Sequence, residues 1–271
     1  MMLMIGMALP AIANADVRSS PTGPPIYIKA TELTLEDRGS NWHGRYGAGI
    51  ALVPEFAGSG GYALDLDLDL KLFWKNTFFI ENGTMGVIAF NNRIWRAGML
   101  VRGVQGRRVR NLPEPIKGLG KVDARLDGGV FVGVSLYKTY LTGEFFTDLS
   151  GVTDGETFNL ETGYTMELSR KTRLVPYIRL KWGSGQHLQK FFGVNTAQSL
   201  ATGLTPYYAK MSLYESIAGM VFENDLGKNW RLGASAHMGF LHGAAGNSPI
   251  TRSQYGSRGQ FTARIKLLKT F

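Results

Sequence analysis

The chain has 271 residues, no cysteine, a formal net charge of +9 and a mean hydropathy of −0.08. The lack of cysteine excludes a disulfide framework and any thiolate metal site, and the lack of a run of about 18 apolar residues excludes a helical membrane protein. A membrane barrel stays open, because only its alternate residues meet lipid, and 35 glycines with 11% aromatics favour turn-rich β structure.

Met1 to Ala15 is an apolar run closing in Ala13-Asn14-Ala15, the small-x-small pattern at which signal peptidase cuts. No basic residue precedes it, which fits a start lying further upstream or a chance apolar end; residues 1–15 are read as a truncated signal peptide. Residues 16–41, with Pro21, Pro24 and Pro25, show no sustained alternation and read as an N-terminal arm.

Period two sets in at Trp42, and residues 42–271 read as one barrel. Trp42 to Val53 puts Tyr46, Ala48, Ile50 and Leu52 on one face. After a loop at 54–61, Ala63 to Trp74 alternates Leu64, Leu66, Leu68, Leu70 and Leu72 with Asp65, Asp67, Asp69 and Lys71. A soluble sandwich would turn those leucines into a core; a membrane barrel would turn them to lipid and the charges to a wet lumen. A turn at Lys75-Asn76 leads to Thr77–Glu81, an Asn82-Gly83 turn, Gly86–Asn91 and then Arg93–Val104, with Trp95, Ala97, Met99 and Val101 opposite Arg96 and Arg102. Beyond the loop 105–121, Val122–Tyr137 sets Leu126, Val130, Val132, Val134 and Leu136 against Asp123, Arg125, Asp127 and Ser135. Thr139–Asp148, Glu156–Leu168 and Leu174–Gly183 continue the pattern. Ser184 to Tyr207 is the longest loop, and in Tyr208–Phe222 the alternation does not assign the faces. Trp230–Leu241, a loop at 242–258 and Gly259–Phe271 complete twelve strands.

The long connections (54–61, 105–121, 149–155, 184–207, 242–258) fall on one rim and the short ones near Asn76, Asn92, Lys138 and Arg170 on the other. That segregation is how an antiparallel up-and-down transmembrane β-barrel is built, here in the outer membrane of a Gram-negative bacterium. Thr77–Asn91 is the weak pair, short of the roughly 9–11 residues a tilted membrane strand needs. Trp74, Trp95, Trp182, Trp230 and Tyr137 fall near strand ends, where an interfacial girdle belongs. The last strand places Phe261, Ala263, Ile265, Leu267 and terminal Phe271 on one face, interrupted by Lys269, and Phe271 resembles the signal read by the barrel-assembly machinery.

Three stretches carry a wider resemblance: Gly47-Ala-Gly49 with Pro54-Glu-Phe-Ala-Gly58-Ser59; Phe191-Phe-Gly-Val194 with Ala201-Thr-Gly203-Leu204 and Tyr207; and Asn247-Ser-Pro-Ile250. In order and spacing these resemble the MltA-interacting protein / OmpV family of outer-membrane proteins over roughly Trp42 to Phe271. Asn247 stands where the family tends to carry Asp, and Phe191 where it often carries Tyr. The resemblance implies a barrel of about twelve strands and a non-catalytic role. One family member is regarded as a scaffold between a murein-degrading lytic transglycosylase and a murein synthase; others are treated as porin-like proteins or adhesins.

The charges opposite the apolar face are Asp65, Asp67, Asp69, Asp123, Asp127, Glu144, Glu161 and Glu167, and Arg96, Arg102, Arg125, Arg179, Lys181, Arg264 and Lys266. Pointing inward, they either pair across a narrow lumen and plug it or line a selective path for small solutes. Arg107, Arg108, Arg110, Lys117 and Lys121 in one outer loop offer guanidinium and ammonium groups to lipopolysaccharide phosphates, or form a solvated loop. The basic residues are not clustered with aromatics as in a nucleic-acid module. Among His43, His187, His237 and His242, only His237 shares a strand face with a hydroxyl, Ser235, and no third group orients it. No metal-ligand spacing or phosphate loop occurs, and Gly47, Gly49, Gly233 and Gly239 lie within strands, so no enzyme, metal or cofactor is expected. The expected partners are membrane lipid and lipopolysaccharide, the assembly machinery, and a murein hydrolase and synthase.

Overall fold

The computed structural model describes residues 42–75 and 77–271. The signal peptide expected at 1–15, the arm at 16–41 and the turn residue Asn76 lie outside the described residues.

Thirteen β segments form one sheet: β1 (Trp42–Pro54), β2 (Tyr62–Trp74), β3 (Phe78–Glu81), β4 (Thr84–Asn91), β5 (Trp95–Val104), β6 (Arg125–Leu136), β7 (Thr139–Asp148), β8 (Glu156–Tyr164), β9 (Met166–Glu167), β10 (Thr172–Gly183), β11 (Ser212–Gly227), β12 (Trp230–Leu241) and β13 (Gly259–Thr270). Neighbours in the chain pair antiparallel, and β13 pairs with β1 over Arg45–Leu52, so the sheet closes on itself. β8 and β9 share one register against β10, Gly163 facing Tyr177 and Met166 facing Leu174. They are one strand, interrupted opposite Pro176, which has no N–H to give to a ladder. The closed barrel therefore has twelve strands.

Period two places the side chains as a membrane barrel requires. Leu64, Leu66 and Leu68 are 75%, 64% and 65% exposed to the outside, whereas Asp69 and Lys71, on the opposite face of β2, are buried inside. The same inversion holds for Met99 against Leu100, Val130 against Phe131 and Ile265 against Lys266. Trp42, Trp95, Trp230 and Tyr137 are exposed at the short-turn rim, and Trp182 meets Phe158 near the other. Lys269, which interrupts the outer face of β13, reaches back to donate to the Lys228 carbonyl (2.9 Å) and covers the Trp230 ring (5.0 Å), so its charge leaves the apolar belt. Tight turns need left-handed backbone at both central residues: Asn82 and Gly83 (φ 45° and 83°) and Lys228 and Asn229 (53° and 64°) supply it.

β11 explains why its faces resist reading from sequence. Opposite β10 its register slips between Lys181, facing Glu215, and Trp182, facing Leu213; Tyr214 is the extra residue. Tyr214 and Glu215 then both line the lumen, and the phase of every later residue is displaced by one. The strand also runs on to Gly227, past the end expected at Phe222, so Glu223 is a buried strand residue, and the turn is only Lys228-Asn229. The long loops are not irregular. Helices α1 (Gly185–Phe192) and α2 (Thr196–Thr202) occupy the stretch expected as the longest loop, and α3 (Gly243–Asn247) and α4 (Pro249–Arg252) the last one. Ser184 caps α1, and Asn195 with Gln198 forms a reciprocal capping box on α2.

Candidate functional site: the filled lumen and its cap

Three sets of ion pairs cross the interior. Nearest the short turns, Arg45 Nε donates to Asp69 Oδ1 (3.1 Å) and Nη1 to Glu223 Oε1 (2.9 Å), and Glu223 also meets Arg173 (3.0 Å). Lys266 lies 3.0 Å from Asp67 and 3.2 Å from Asp69, Arg264 is 3.5 Å from Asp67, and Lys71 pairs with Glu81. Midway, Arg179 pairs with Glu161, which accepts from the Tyr140 hydroxyl (2.8 Å), and Asn159 donates to Glu144 (3.1 Å). Towards the long loops, Lys181 meets Glu215 (2.9 Å), and Asp127 receives both Arg102 (3.0 Å) and Arg125 (2.7 Å). Beside these runs an apolar cluster that includes Phe73, Phe79, Phe131, Tyr140, Phe146 and Tyr177.

Of the expected lumen charges, Asp67, Asp69, Arg102, Arg125, Asp127, Glu144, Glu161, Arg179, Lys181, Arg264 and Lys266 take inward positions, and Asp65 is half-buried on the same face. Arg96 is buried, with Asn91 as the partner of its Nε (3.0 Å). Two expectations are corrected. Asp123 precedes β6 and is exposed, paired with Lys121 (2.9 Å), and Glu167 sits on the exposed end of β9, 3.8 Å from Lys138. Both fall beyond the point where the barrel wall encloses a side chain. Arg45, Arg173, Glu215 and Glu223 complete the network without having been singled out; the period alone would have found Arg45, two residues before Gly47 on the inner face of β1.

The long-loop mouth is covered. Leu188, Phe191 and Phe192 of α1 pack with Tyr214, Leu241, Ala244 and Ala245, while Phe56, Leu112, Ile116, Val194 and Ile250 form a second cluster. Arg107, expected to reach lipopolysaccharide, is instead buried in this cap, where it donates to the carbonyls of Phe191 (3.1 Å), Leu119 (3.2 Å) and Gly120 (3.3 Å). Burial without a carboxylate lowers its pKa to about 10. Arg108 and Arg110 remain exposed, Lys117 pairs with Glu114, and Lys121 pairs with Asp123. Asn247 Oδ1 accepts from Arg252 (2.6 Å) and Arg258 (3.0 Å), so the amide serves where a carboxylate would carry charge. His187, facing down from α1, is held neutral far below its ordinary 6.5, first by burial and then by Arg125, Lys181 and Arg102.

Between cap and network lies a chamber of about 130 Å³, enough for several waters. His237, one of its lining residues, shares a strand face with Ser235, but the neighbour of its Nδ1 is the Tyr177 hydroxyl (3.3 Å); elsewhere His242 Nε2 meets Ser216 Oγ (2.7 Å). Among the described residues no cluster of His, Asp and Glu has the geometry to hold a metal ion.

A closed antiparallel wall with an apolar belt outside and paired charges inside defines a transmembrane β-barrel protein of the outer-membrane type. The chain belongs to the family described as MltA-interacting protein MipA, which it matches over residues 46–271. No curated protein sequence matches it. Among solved structures it is similar to the NanC porin (TM-score 0.41, 8% identity, 85% of this chain and 100% of that one) and the KdgM porin (0.39, 8%, 84% and 99%). It is also similar to the outer-membrane channel DcaP of Acinetobacter baumannii (0.38, 8%, 85% and 96%).

Proposed function

We propose that this protein is a non-catalytic scaffold of the outer membrane that holds murein-degrading and murein-synthesising enzymes at the membrane surface. The observation that carries this reading is the filled lumen: the charges that could line a solute path are spent on one another, and a packed cap covers one mouth, so the surfaces left for function are external. The family's description names an interaction with MltA, which supports a murein enzyme as the partner. The short-turn rim, taken as periplasmic, offers a surface with a chemistry of its own. Lys75, Arg93, Lys138, Arg170, Lys171 and Lys228 are all exposed there, against Glu167 and Asp225. Six cations on short turns suit an acidic partner surface or murein carboxylates.

The test is capture of a purified lytic transglycosylase and a murein synthase by the detergent-solubilised barrel. Binding of both is expected, with charge reversal at Lys138, Lys171 and Lys228 reducing capture about tenfold or more, since one base at an interface is worth on the order of 1 kcal/mol. Capture that survives these reversals at full strength sinks the rim as the docking surface. A porin-like alternative is compatible with the barrel and is decided by planar-bilayer conductance; the pairing of the lumen charges leads us to expect no steady single-channel current.

A further inference from the structure

The lipid-facing wall is uneven. β2 presents Leu64, Leu66, Leu68 and Leu70 outward in succession, whereas β8, β10, β11 and β12 mix large outward side chains with small ones. Across these strands the ladder aligns two outward rows: Thr162, Ile178, Ala218, Met238 and Phe261 in one, and Tyr164, Pro176, Met220 and Ala236 in the next. Small and large residues alternate along each row, and the two rows are out of step. Thr162, Pro176, Ala218 and Ala236 therefore make a continuous low path from strand to strand. Exposed Tyr164 and Met220 stand along one side of it, and exposed Ile178 and Met238 along the other. The result is an open groove of about 620 Å³ on the outside of the barrel, with Thr139 of β7 at one end and Phe261 of β13 at the other.

The groove climbs. Thr162 lies two residues from the short-turn end of β8, yet Phe261, in the same row on β13, lies two residues from the long-loop end of its strand. A tilt of roughly 40° and a spacing of about 4.8 Å over four strand steps give a rise of about 12 Å, and starting one strand and one row lower, at Thr139, extends it to roughly 20 Å. One leaflet's share of a hydrocarbon core about 30 Å thick is roughly 15 Å, so the groove has the length of one acyl chain laid in from the short-turn side. Its lower end has a different chemistry. Lys138 immediately precedes Thr139, and the Thr165 N–H donates to the Lys138 carbonyl (2.7 Å), which ties that turn to the end of β8. Arg170 and Lys171 are exposed in the neighbouring turn before β10. Against these three bases stand Glu167, 3.8 Å from Lys138, and Asp225, whose carboxylate already accepts the Gly227 N–H (2.8 Å). An apolar groove thus ends at a mouth with an excess of positive charge.

We infer that this groove binds one anionic glycerophospholipid from the leaflet on the short-turn side. Its phosphate sits at Lys138, Arg170 and Lys171, where a guanidinium fork and two ammonium groups suit the phosphate oxygens. One acyl chain follows Thr162, Pro176, Ala218 and Ala236 upward between the larger side chains. A zwitterionic lipid fits the same path but carries no net charge to match the mouth. A lipid of the opposite leaflet enters from the Phe261 end, with its head far from these bases. The inference does not rest on the scaffold reading, although both use bases of the same rim; the groove itself contains none of them.

The full-length protein, purified in a neutral detergent, is titrated with dioleoylphosphatidylglycerol or dioleoylphosphatidylcholine, and the lipid it retains is counted by native mass spectrometry. One phosphatidylglycerol per protein is expected, held at least fivefold better than phosphatidylcholine. Ala218→Phe combined with Ala236→Phe fills the path and is expected to reduce that retention at least fivefold. Arg170→Gln combined with Lys171→Gln is expected to abolish the preference for phosphatidylglycerol. Heat-modifiable migration on a denaturing gel reports that each variant still closes. If the filled variant does not close, the lack of native cysteine supplies a second measurement on the otherwise unaltered barrel. Bimane on a single cysteine at Leu141, the partner of Thr162, is expected to be quenched saturably by phosphatidylglycerol with brominated acyl chains in phosphatidylcholine vesicles. At Met99, on the lipid-facing side of β5, quenching is expected to rise in proportion to the lipid added. Equal retention of the two lipids, retention that a closed filled barrel leaves untouched, a preference that survives loss of the two bases, or the same quenching at Leu141 and Met99 overturns the site. Lipid retention is read with no enzyme present, so this outcome is separate from that of the capture experiment.

Discussion

Glu161 joins β8 to two neighbouring strands by accepting the Tyr140 hydroxyl and pairing with Arg179 in the middle of the lumen. Glu161→Gln keeps the shape and removes the charge, which strands a buried guanidinium; the expected loss is about 3 kcal/mol, read as a lowered urea midpoint for the reconstituted barrel. In the cap the sign can be reversed. Asn247→Asp converts two neutral acceptor bonds from Arg252 and Arg258 into charged ones, and because these groups are exposed the gain is at most about 1 kcal/mol. His187 gives the cap a pH dependence. Its folded pKa lies well below the ordinary 6.5, so the unfolded cap takes up a proton that the folded cap refuses. Its contribution is intact above pH 6.5 and declines as pH falls. Hydrogen exchange at Ala245 and Gly246, corrected for the intrinsic rate, is expected to be faster at pH 5 than at pH 7.5, and His187→Gln to flatten that difference.

Strands obey the alternation wherever their pairing is regular. At the middle of β13, Ile265 faces out and Lys266 in, so Ile265→Arg is expected to cost about 2–4 kcal/mol of unfolding free energy in a bilayer. Along β1, β2, β5, β6 and β13 this two-residue rule was legible in advance, and it sorted nearly every inward charge. It failed at β11 for a physical reason: the extra Tyr214 changes the phase, and a bulge is set by the register of β10 against β11, which no window of one strand contains. The cap helices left weaker traces. Ser184 and the Asn195-x-x-Gln198 box are start signals, but at 8 and 7 residues the helices are too short for a periodic stripe, and their stability comes from packing on Tyr214, Leu241 and the barrel mouth.

At the scale of the whole molecule, a net charge of +9 divides into an interior where opposite charges are matched and a short-turn rim where exposed bases outnumber acids. The first is expected to keep the barrel electrically silent in planar bilayers, and the second to make partner capture fall steeply as salt rises. The sequence by itself determined the barrel, its strand number, the segregation of long loops from short turns and the face of most charges, because lipid outside and water inside impose a two-residue period on every regular strand. It also carried the family resemblance, in short stretches at fixed spacing. Only the tertiary structure decided whether the inward charges stand free or paired, and that the loops fold into a cap which takes Arg107 away from the surface. Each of these depends on which residues meet across strands far apart in the chain, and closure of the ring sets those meetings.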